Sequence, residues 1–274
     1  MFLDVPPGVD PRPYLRDVAT RAHPEHLGVG VGPRLVHALG AAIPGLRDLP
    51  SPAGPAGPMP STPTNLLLWV AGDDPGVAFH RMREALRPLE ARRATDSVLA
   101  FRHRTGHDLS GFEDGTENPT GEKAVATALL SGFGPGIDGS SIAAVQRWVH
   151  DFEVLNALSD SALSAIVGRD RVTNEELPQA PASAHVKRVT QEDFDPPAFL
   201  LRRSMPWVTE TEAGLLFIAY ARSLDPFEAL LRRMVGLDDG VIDGLFQFTK
   251  PRTGASFWCP PLHEGRLDLR ALGI

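Results

Sequence analysis

Short apolar runs alternate with helical patterns along this chain, and the alternation occurs twice. In the first half, strand-like runs at 26–32, 65–72 and 97–103 are separated by helical patterns at 33–43 and 74–89. Each strand-like run is short, and the pattern at 74–89 repeats its apolar residues at helical spacing. Such a succession favours helices that cover one face of a sheet.

The second half repeats this order. Helical patterns occur at 153–168, where Ser159 is a good N-cap for a second helix, and at 225–236. A polar turn between two of the strand-like runs predicts a hairpin. The repetition predicts two α+β layers of similar build. The strand-like runs of this half are 141–152, 199–208, 214–223 and 255–262.

Composition and missing motifs narrow the class of protein. The 274 residues are 42% hydrophobic and carry a net charge of −7, which predicts a globular core without bulk affinity for nucleic acid or anionic membranes. The single cysteine, Cys259, excludes internal disulfides and zinc–cysteine clusters. HExxH, GxSxG and P-loop motifs are absent. With no basic or long apolar N-terminal run and no stretch long enough to span a bilayer, we expect a cytoplasmic protein.

An acidic, glycine-containing loop lies between the two halves. Its sequence, "LSGFEDGTENPTGEK" (109–123), contains Glu113, Asp114 and Glu117, and it follows neither a helical period nor strand alternation. A solvated surface turn is one interpretation. The other is a carboxylate directed at a ligand, because glycines let a backbone approach a ligand closely and because sites commonly form between domains.

Two histidines and an arginine pair are further candidates. His150 ends a strand-like run, where a structural hydrogen bond is favoured over a ligand role. His185 follows a proline-containing run, and both structural and functional interpretations stay open for it. Arg202 and Arg203 lie in a strand pattern, so their side chains should point to opposite faces. The inward one requires an anion or a carboxylate partner, which an internal salt bridge would also provide.

Several segments together resemble one protein family. "GFEDGTENP" (111–119) resembles the GxxDG signature of dye-decolourising peroxidases, which are haem enzymes. Six other segments are similar to the bacterial B-type subgroup and occur in the expected order, so the resemblance covers nearly the whole chain. They are "MPSTPTNLLLWVAGD", "QRWVHDFEVLNALS", "VGRDR", "SAHVKR", "LLRRSMPW" and "GLLFIAYARSLDPFEALLRRMVG".

The resemblance implies a fold. Its members have two ferredoxin-like modules of the dimeric α+β barrel superfamily, with antiparallel sheets, peripheral helices and haem in the C-terminal module. We therefore expect an α+β protein with an N-terminal module at residues 1–125 and a haem-binding module at 126–274.

The resemblance also implies roles for individual residues. Asp114 matches the acid of GxxDG on the distal side of the haem, and Gly115 closes that motif. Arg202 matches the distal arginine, and Ser204 occupies a distal position where many members have asparagine. These matches make Asp114, Arg202 and Ser204 the expected catalytic residues. His185 matches the proximal histidine that ligates the iron.

Two further residues complete the expected cofactor site. Asp243 matches a carboxylate that hydrogen-bonds the proximal histidine, and Arg169 matches an arginine that reaches a haem propionate. The expected ligand is haem b, iron protoporphyrin IX. The expected cofactor-binding set is His185, Arg169, Arg202, Asp243, Asp114 and Gly115.

The family implies a peroxidase that reduces hydrogen peroxide and oxidises dyes or other bulky aromatic reductants through a ferryl intermediate. Electrons from a bulky reductant would pass through the protein, with Tyr220, Trp148, Trp207 and Trp258 as relays or as plain core residues. A homo-oligomer is expected, and some relatives enter encapsulin shells, although the C-terminal "RLDLRALGI" shows no clear targeting tail.

Two alternatives stay open from the sequence. The first is a haem-handling protein, for storage or for iron release from porphyrin, with little peroxidase turnover. The second is a haem-free ferredoxin-like binding module. Both alternatives fit the same predicted fold, so only the site and its ligand can separate them.

Overall fold

The computed structural model describes residues 1–6, 8–23, 25–87 and 93–274. Most of its strands are short, and the longest two belong to the second half of the chain. The strands are β1 (Phe2–Asp4), β2 (Leu27–Val31), β3 (Ala53–Gly54), β4 (Gly57–Pro58), β5 (Leu66–Val70), β6 (Arg93–Asp96), β7 (Ser141–His150), β8 (Leu201–Arg202), β9 (Met205–Val208), β10 (Ala213–Ala221), β11 (Thr249–Cys259), β12 (Leu262–His263) and β13 (Arg266–Leu267).

Helices connect and cover these strands. None of the helices in the described ranges is long and apolar enough to cross a membrane. Three short 3₁₀ helices lie at Gln191–Asp193, Gly244–Gln247 and Arg270–Leu272. The α-helices are α1 (Arg12–Arg21), α2 (Pro33–Ala38), α3 (Pro75–Leu86), α4 (Gly121–Ala128), α5 (Phe152–Ala157), α6 (Asp160–Val167), α7 (His185–Arg188) and α8 (Asp225–Met234).

Among the described residues, nine strands form one antiparallel sheet in the order β6-β1-β5-β2-β11-β7-β10-β8, with β9 also paired to β10. The first half contributes β6-β1-β5-β2, and the second half contributes β11-β7-β10 followed by β8 and β9. If β8 and β9 are counted as one strand, each half has its four strands in the order fourth, first, third, second. This is the strand order of the βαββαβ ferredoxin-like motif. The halves meet where Trp258 of β11 pairs with Val31 of β2. The predicted architecture of two ferredoxin-like modules is confirmed. The division at residue 125 stays a proposal, and α4 runs across it.

The sheet has an apolar core on each face. The larger core packs α1, α2 and α8 against the sheet and includes Leu15, Leu231 and Trp258. A second core, with Val145 and Phe257, lies on alternate residues of the same strands. Period-2 alternation sends successive side chains of β7 and β11 into these two cores, which is why the segments 142–145 and 255–258 are mostly apolar.

Most predicted elements are present, with different bounds. Ser159 caps α6 by accepting a hydrogen bond from the amide of Ala162. The predicted hairpin is confirmed, but its first strand is divided into β8 and β9, which both pair with β10. The helix predicted at 74–89 is observed as Pro75–Leu86, and residues 88–89 lie outside the described residues.

The strand predicted at 97–103 is wrong. The strand is β6, which ends at Asp96, and the apolar residues that follow cross towards the second half. There Ala100 forms an isolated bridge with Trp207. Asp96 can lie in a strand because its carboxylate is paired with Arg147 at 2.9 Å.

Candidate active site

A large cavity opens in the C-terminal half. Its empty space is about 1080 Å³, with the open mouth included. Most of its wall is apolar and includes Phe217, Phe227, Leu230 and Met234. A few polar and charged side chains, described below, converge on it. An apolar cavity with a few convergent polar groups is the usual form of a cofactor site.

His185 is held on the cavity wall by a buried carboxylate. Its Nδ1 lies 2.7 Å from Oδ2 of Asp243, which is 58 residues further along the chain. Asp243 is only 1% exposed. Its Oδ1 accepts a hydrogen bond from the amide of Leu245, so Asp243 caps the 3₁₀ helix Gly244–Gln247. Because Nδ1 donates to this carboxylate, the lone pair is on Nε2, which has no hydrogen-bond partner among the described residues. A metal ion is the natural partner of such a nitrogen.

Arg202 and Asp114 also line the cavity. Arg202 comes from the edge strand β8, and Asp114 comes from the acidic loop. Nη1 of Arg202 lies 3.8 Å from Oδ1 of Asp114, so the two form a loose ion pair rather than a hydrogen bond. Nε of Arg202 is buried without a partner in the described part of the chain. Both groups are thus available to a small polar ligand.

The acidic loop is packed and anchored, so it is not a solvated turn. Phe112 enters a small core with Leu163 and Phe248. Gly111 has φ +94°, and a Cβ there would meet the guanidinium of Arg171 at 2.5 Å. Only glycine therefore suits this close approach in the left-handed backbone region.

A second segment, residues 169–174, holds the outer side of this loop. Arg169 is paired with Glu117 and also donates to the carbonyl of Asn174. Nδ2 of Asn174 donates to Glu113 at 3.2 Å and to Thr116 at 2.9 Å. Glu113 and Glu117 therefore have structural partners.

Comparison with known proteins identifies the family. The profile of the family described as "Dyp-type peroxidase, C-terminal" matches residues 105–264, more than half of the chain. The chain belongs to the Dyp-type peroxidase family. A dye-decolorizing peroxidase of Mycolicibacterium paratuberculosis is 32% identical over 214 residues, which are 76% of this chain and 60% of the relative. The chain thus spans about three fifths of that relative's length.

Solved structures of Dyp-type proteins have the same fold. An arginine-to-leucine variant of Rhodococcus jostii RHA1 DypB, in complex with haem, is 29% identical with a TM-score of 0.85, covering 95% of this chain and 91% of that one. A putative Dyp-type peroxidase from Shewanella oneidensis is 27% identical with a TM-score of 0.88, covering 99% and 92%. The B-type subgroup is consistent with the DypB neighbours.

Not every residue expected from the Dyp-type resemblance reaches the cavity. Asp114, His185 and Arg202 line it, and Asp243 lies behind His185. Three others do not line it. Arg169 is engaged by Glu117 and Asn174 as described above, Oγ of Ser204 is buried without a partner in the described ranges, and Gly115 turns the chain with φ +85°. Their expected roles stay predictions.

The structural hydrogen bond expected for His150 is confirmed, but sequence reasoning did not find its partners, which form a buried polar network on the cavity wall. Nε2 of His150 lies 3.0 Å from both oxygens of Asp108, and its Nδ1 lies 2.7 Å from the hydroxyl of Thr249. The hydroxyl of Thr249 also lies 3.1 Å from the carbonyl of Val149. The contacts of His150 with Asp108 and Thr249 fix the start of the acidic loop.

The pKa of Asp108 reflects its contact with His150. Burial raises the pKa, but the hydrogen bond and charge of His150, with hydrogen bonds from Ser110, outweigh burial and lower it below the ordinary value. Strand periodicity could have placed His150 on the cavity wall. Gln146, Trp148 and His150 lie two residues apart along β7, so they share one face of the strand, and all three line the cavity.

A separate group of possible metal ligands lies outside the cavity. His23, Glu25 and His26 have ligand atoms within 4.8 Å of one another. However, Nδ1 of His26 accepts from the guanidinium of Arg81, and Nδ1 of His23 accepts from the amide of Glu25. A fixed positive charge beside the group opposes a cation, so we assign no metal site there.

Proposed function

We propose that this chain is a haem-dependent peroxidase that reduces hydrogen peroxide and oxidises bulky aromatic reductants such as dyes. The observation that carries this proposal is His185, which lies on the wall of a large apolar cavity with Nδ1 bound to the buried Asp243. Membership of the Dyp-type family supports it, and so does the haem bound by the similar DypB structure.

The residues fit haem. An imidazole nitrogen such as Nε2 of His185 would hold the haem iron, and a carboxylate on the other ring nitrogen makes the imidazole more basic. The apolar side chains of Phe217, Phe227, Leu230 and Met234 suit the faces of a porphyrin. Arg169 remains our candidate for a propionate, in which case the group would compete with Glu117 for the guanidinium.

Bound haem supplies the redox chemistry, in which two electrons from the reductant and two protons convert one hydrogen peroxide to two waters. The protein supplies proton transfer and charge. The Asp114 carboxylate would accept a proton from one peroxide oxygen and return it to the other, which leaves as water. The Arg202 guanidinium would stabilise negative charge on that leaving oxygen. Asp243 would keep the imidazole of His185, which would hold the haem iron, in one tautomer and orientation.

In this proposal, electrons pass from the bulky reductant to the haem through the protein. Trp148 lines the cavity, and Nε1 of Trp207 donates to its carbonyl at 3.1 Å. Trp207 and Trp258 are fully buried, so a core role is sufficient to explain both. Tyr220 and these tryptophans stay predicted relays.

The oligomeric state, the association with a shell and the cellular location rest on the sequence alone. A homo-oligomer, an encapsulin shell and a cytoplasmic location therefore stay predictions. A haem-handling protein with little turnover is not favoured, because the named relatives are dye-decolorizing peroxidases.

The test is reconstitution followed by turnover. Protein loaded with haem b should show a Soret band and should oxidise an anthraquinone dye with hydrogen peroxide in steady state. A Soret band without peroxide-dependent turnover would contradict the peroxidase and favour haem handling. No haem binding at all would contradict both and favour a haem-free module.

A further inference from the structure

The side chain of Asn118 holds the backbone of Arg202. Its Nδ2 donates to the carbonyl of Arg202 at 2.9 Å, and its Oδ1 accepts the amide of Arg202 at 2.8 Å. The two residues are 84 positions apart. The carbonyl also accepts from Nη1 of Arg203 at 2.9 Å, whereas the amide of Arg202 has only Asn118 as a partner among the described residues.

The position of β8 explains why this contact is needed. Strand β8 is the last in the sheet, and it is paired on one side only, through β10. The outward amide and carbonyl of an edge residue would otherwise lack a strand partner. A carboxamide presents a donor and an acceptor side by side, which matches the amide and carbonyl that one strand residue directs to the same side. Asn118 thus replaces a neighbouring strand at Arg202.

The same turn fixes Asn118 relative to Asp114. The amide of Asn118 donates to the carbonyl of Gly115 at 3.1 Å, which closes a four-residue turn directly after Asp114. Gly115 has φ +85°, and a Cβ there would lie 2.9 Å from Nδ2 of Asn118. The missing side chain at Gly115 leaves room for the carboxamide. The turn at residues 115–118 therefore follows Asp114 directly and binds the backbone of Arg202 through Asn118.

We infer that Asn118 is a positioning residue, whose carboxamide sets the place of the Arg202 guanidinium relative to the Asp114 carboxylate. The inference rests on the proposed peroxidase function for its catalytic consequence. The clamp itself is a property of the folded protein. Because the amide of Arg202 has no other partner in the part of the chain that the structure describes, loss of the carboxamide frees the edge of β8 next to the cavity. A displacement of this kind in a catalytic group typically lowers the rate steeply.

Three variants in the haem-loaded protein test this inference. Asn118→Asp is isosteric but replaces the donor by an oxygen that repels the Arg202 carbonyl, and Asn118→Ala removes both hydrogen bonds. Asn156→Asp is the matched control, since Asn156 is exposed on α5 and makes no side-chain hydrogen bond with the described residues. Haem content and the far-ultraviolet spectrum verify that each variant is folded.

The first measurement is hydrogen exchange of the Arg202 amide, by mass spectrometry with overlapping fragments. We expect exchange about tenfold faster or more in Asn118→Ala, and no change in Asn156→Asp. Unchanged exchange at Arg202 in Asn118→Ala would overturn the clamp. This readout does not depend on turnover, so it tests the clamp even if the wild-type protein has no peroxidase activity. Absence of activity would overturn the proposed function and with it the effect of the clamp on the rate.

The second measurement is a double-mutant cycle on kcat/KM for hydrogen peroxide. We expect Asn118→Asp to lower kcat/KM about tenfold in the wild-type background and to have no further effect in an Arg202→Ala background. An equal loss in both backgrounds would show that Asn118 does not act through Arg202 and would overturn the positioning role. An unchanged kcat/KM in the wild-type background would overturn it as well.

Discussion

Nδ1 of His185 lies 2.7 Å from a carboxylate oxygen of Asp243, and the carboxylate is almost completely buried. The pair joins the first residue of α7 to the start of a 3₁₀ helix, so the imidazole has one orientation and one tautomer. Each oxygen of this carboxylate accepts a hydrogen bond, one from a backbone amide and one from the imidazole, so Asp243 has little freedom to move. A fixed carboxylate keeps the ring of His185 oriented to hold a metal ion.

Asp243→Asn should keep haem bound but change its properties. The amide is a weaker acceptor than the carboxylate, so His185 becomes a less electron-donating ligand. We expect the reduction midpoint potential of the haem iron to rise and the reaction of the protein with hydrogen peroxide to slow by about 10–100-fold. Spectroelectrochemistry and stopped-flow mixing measure the two effects. Asp73→Asn, at an exposed site, is the control. An unchanged potential in Asp243→Asn would show that the Asp243 carboxylate does not tune the imidazole of His185.

His185→Ala should lose or strongly weaken haem binding. The variant removes the only nitrogen we assign to the iron and leaves the apolar wall intact. Titration of the haem-free protein, followed at the Soret band, measures the affinity. A spectrum that still indicates histidine ligation would show that the ligand is another residue.

Arg202→Ala should lower kcat/KM for hydrogen peroxide by about 10²–10³-fold, the usual effect of removing one group that stabilises a developing negative charge. Haem content should stay the same. The control is Arg16→Ala, because Arg16 is exposed on α1, away from the cavity lining. Stopped-flow mixing with peroxide measures the step directly, and a wild-type rate would remove Arg202 from peroxide activation.

Asp114→Asn should slow the same step and should also change its pH dependence. The amide cannot take a proton from peroxide, so the limb of the pH–rate profile that reports the carboxylate should disappear. We expect the loss to be no greater than that of Arg202→Ala. If neither the rate nor the profile changes, Asp114 is a structural loop acid.

Asp108→Asn should destabilise the protein at neutral pH and less so in acid. The folded pKa of Asp108 is lowered, so the stabilisation by the ionised carboxylate is present above the unfolded value of about 3.9 and is lost as the pH falls through the folded value. At pH 7 we expect a loss of about 1.5–3 kcal/mol in the free energy of unfolding. Urea unfolding of the haem-free protein at pH 7 and near pH 3 measures the difference. An equal loss at both pH values would contradict the stabilisation by the ionised carboxylate.

Local features of the chain were sufficient for much of the fold. The apolar runs of β7 and β10, the polar turn before β10 and the Ser159 cap depend on neighbouring residues, and the structure has all of them. The strand expected at 97–103 failed because Ala100 finds its partner Trp207 far along the chain. Local periodicity carries no information about such a partner.

The sequence was sufficient to indicate the family and, through the resemblance, the two ferredoxin-like modules and the candidates Asp114, His185 and Arg202. The contacts that hold these side chains in place are visible only in the folded protein. Long-range contacts pair His150 with Asp108 and bind Asn118 to the backbone of Arg202. These contacts depend on which strand lies at the edge of the sheet and which side chains share a buried face. Those relations arise when distant segments pack, because hydrogen-bonding groups removed from water must then find partners in the protein.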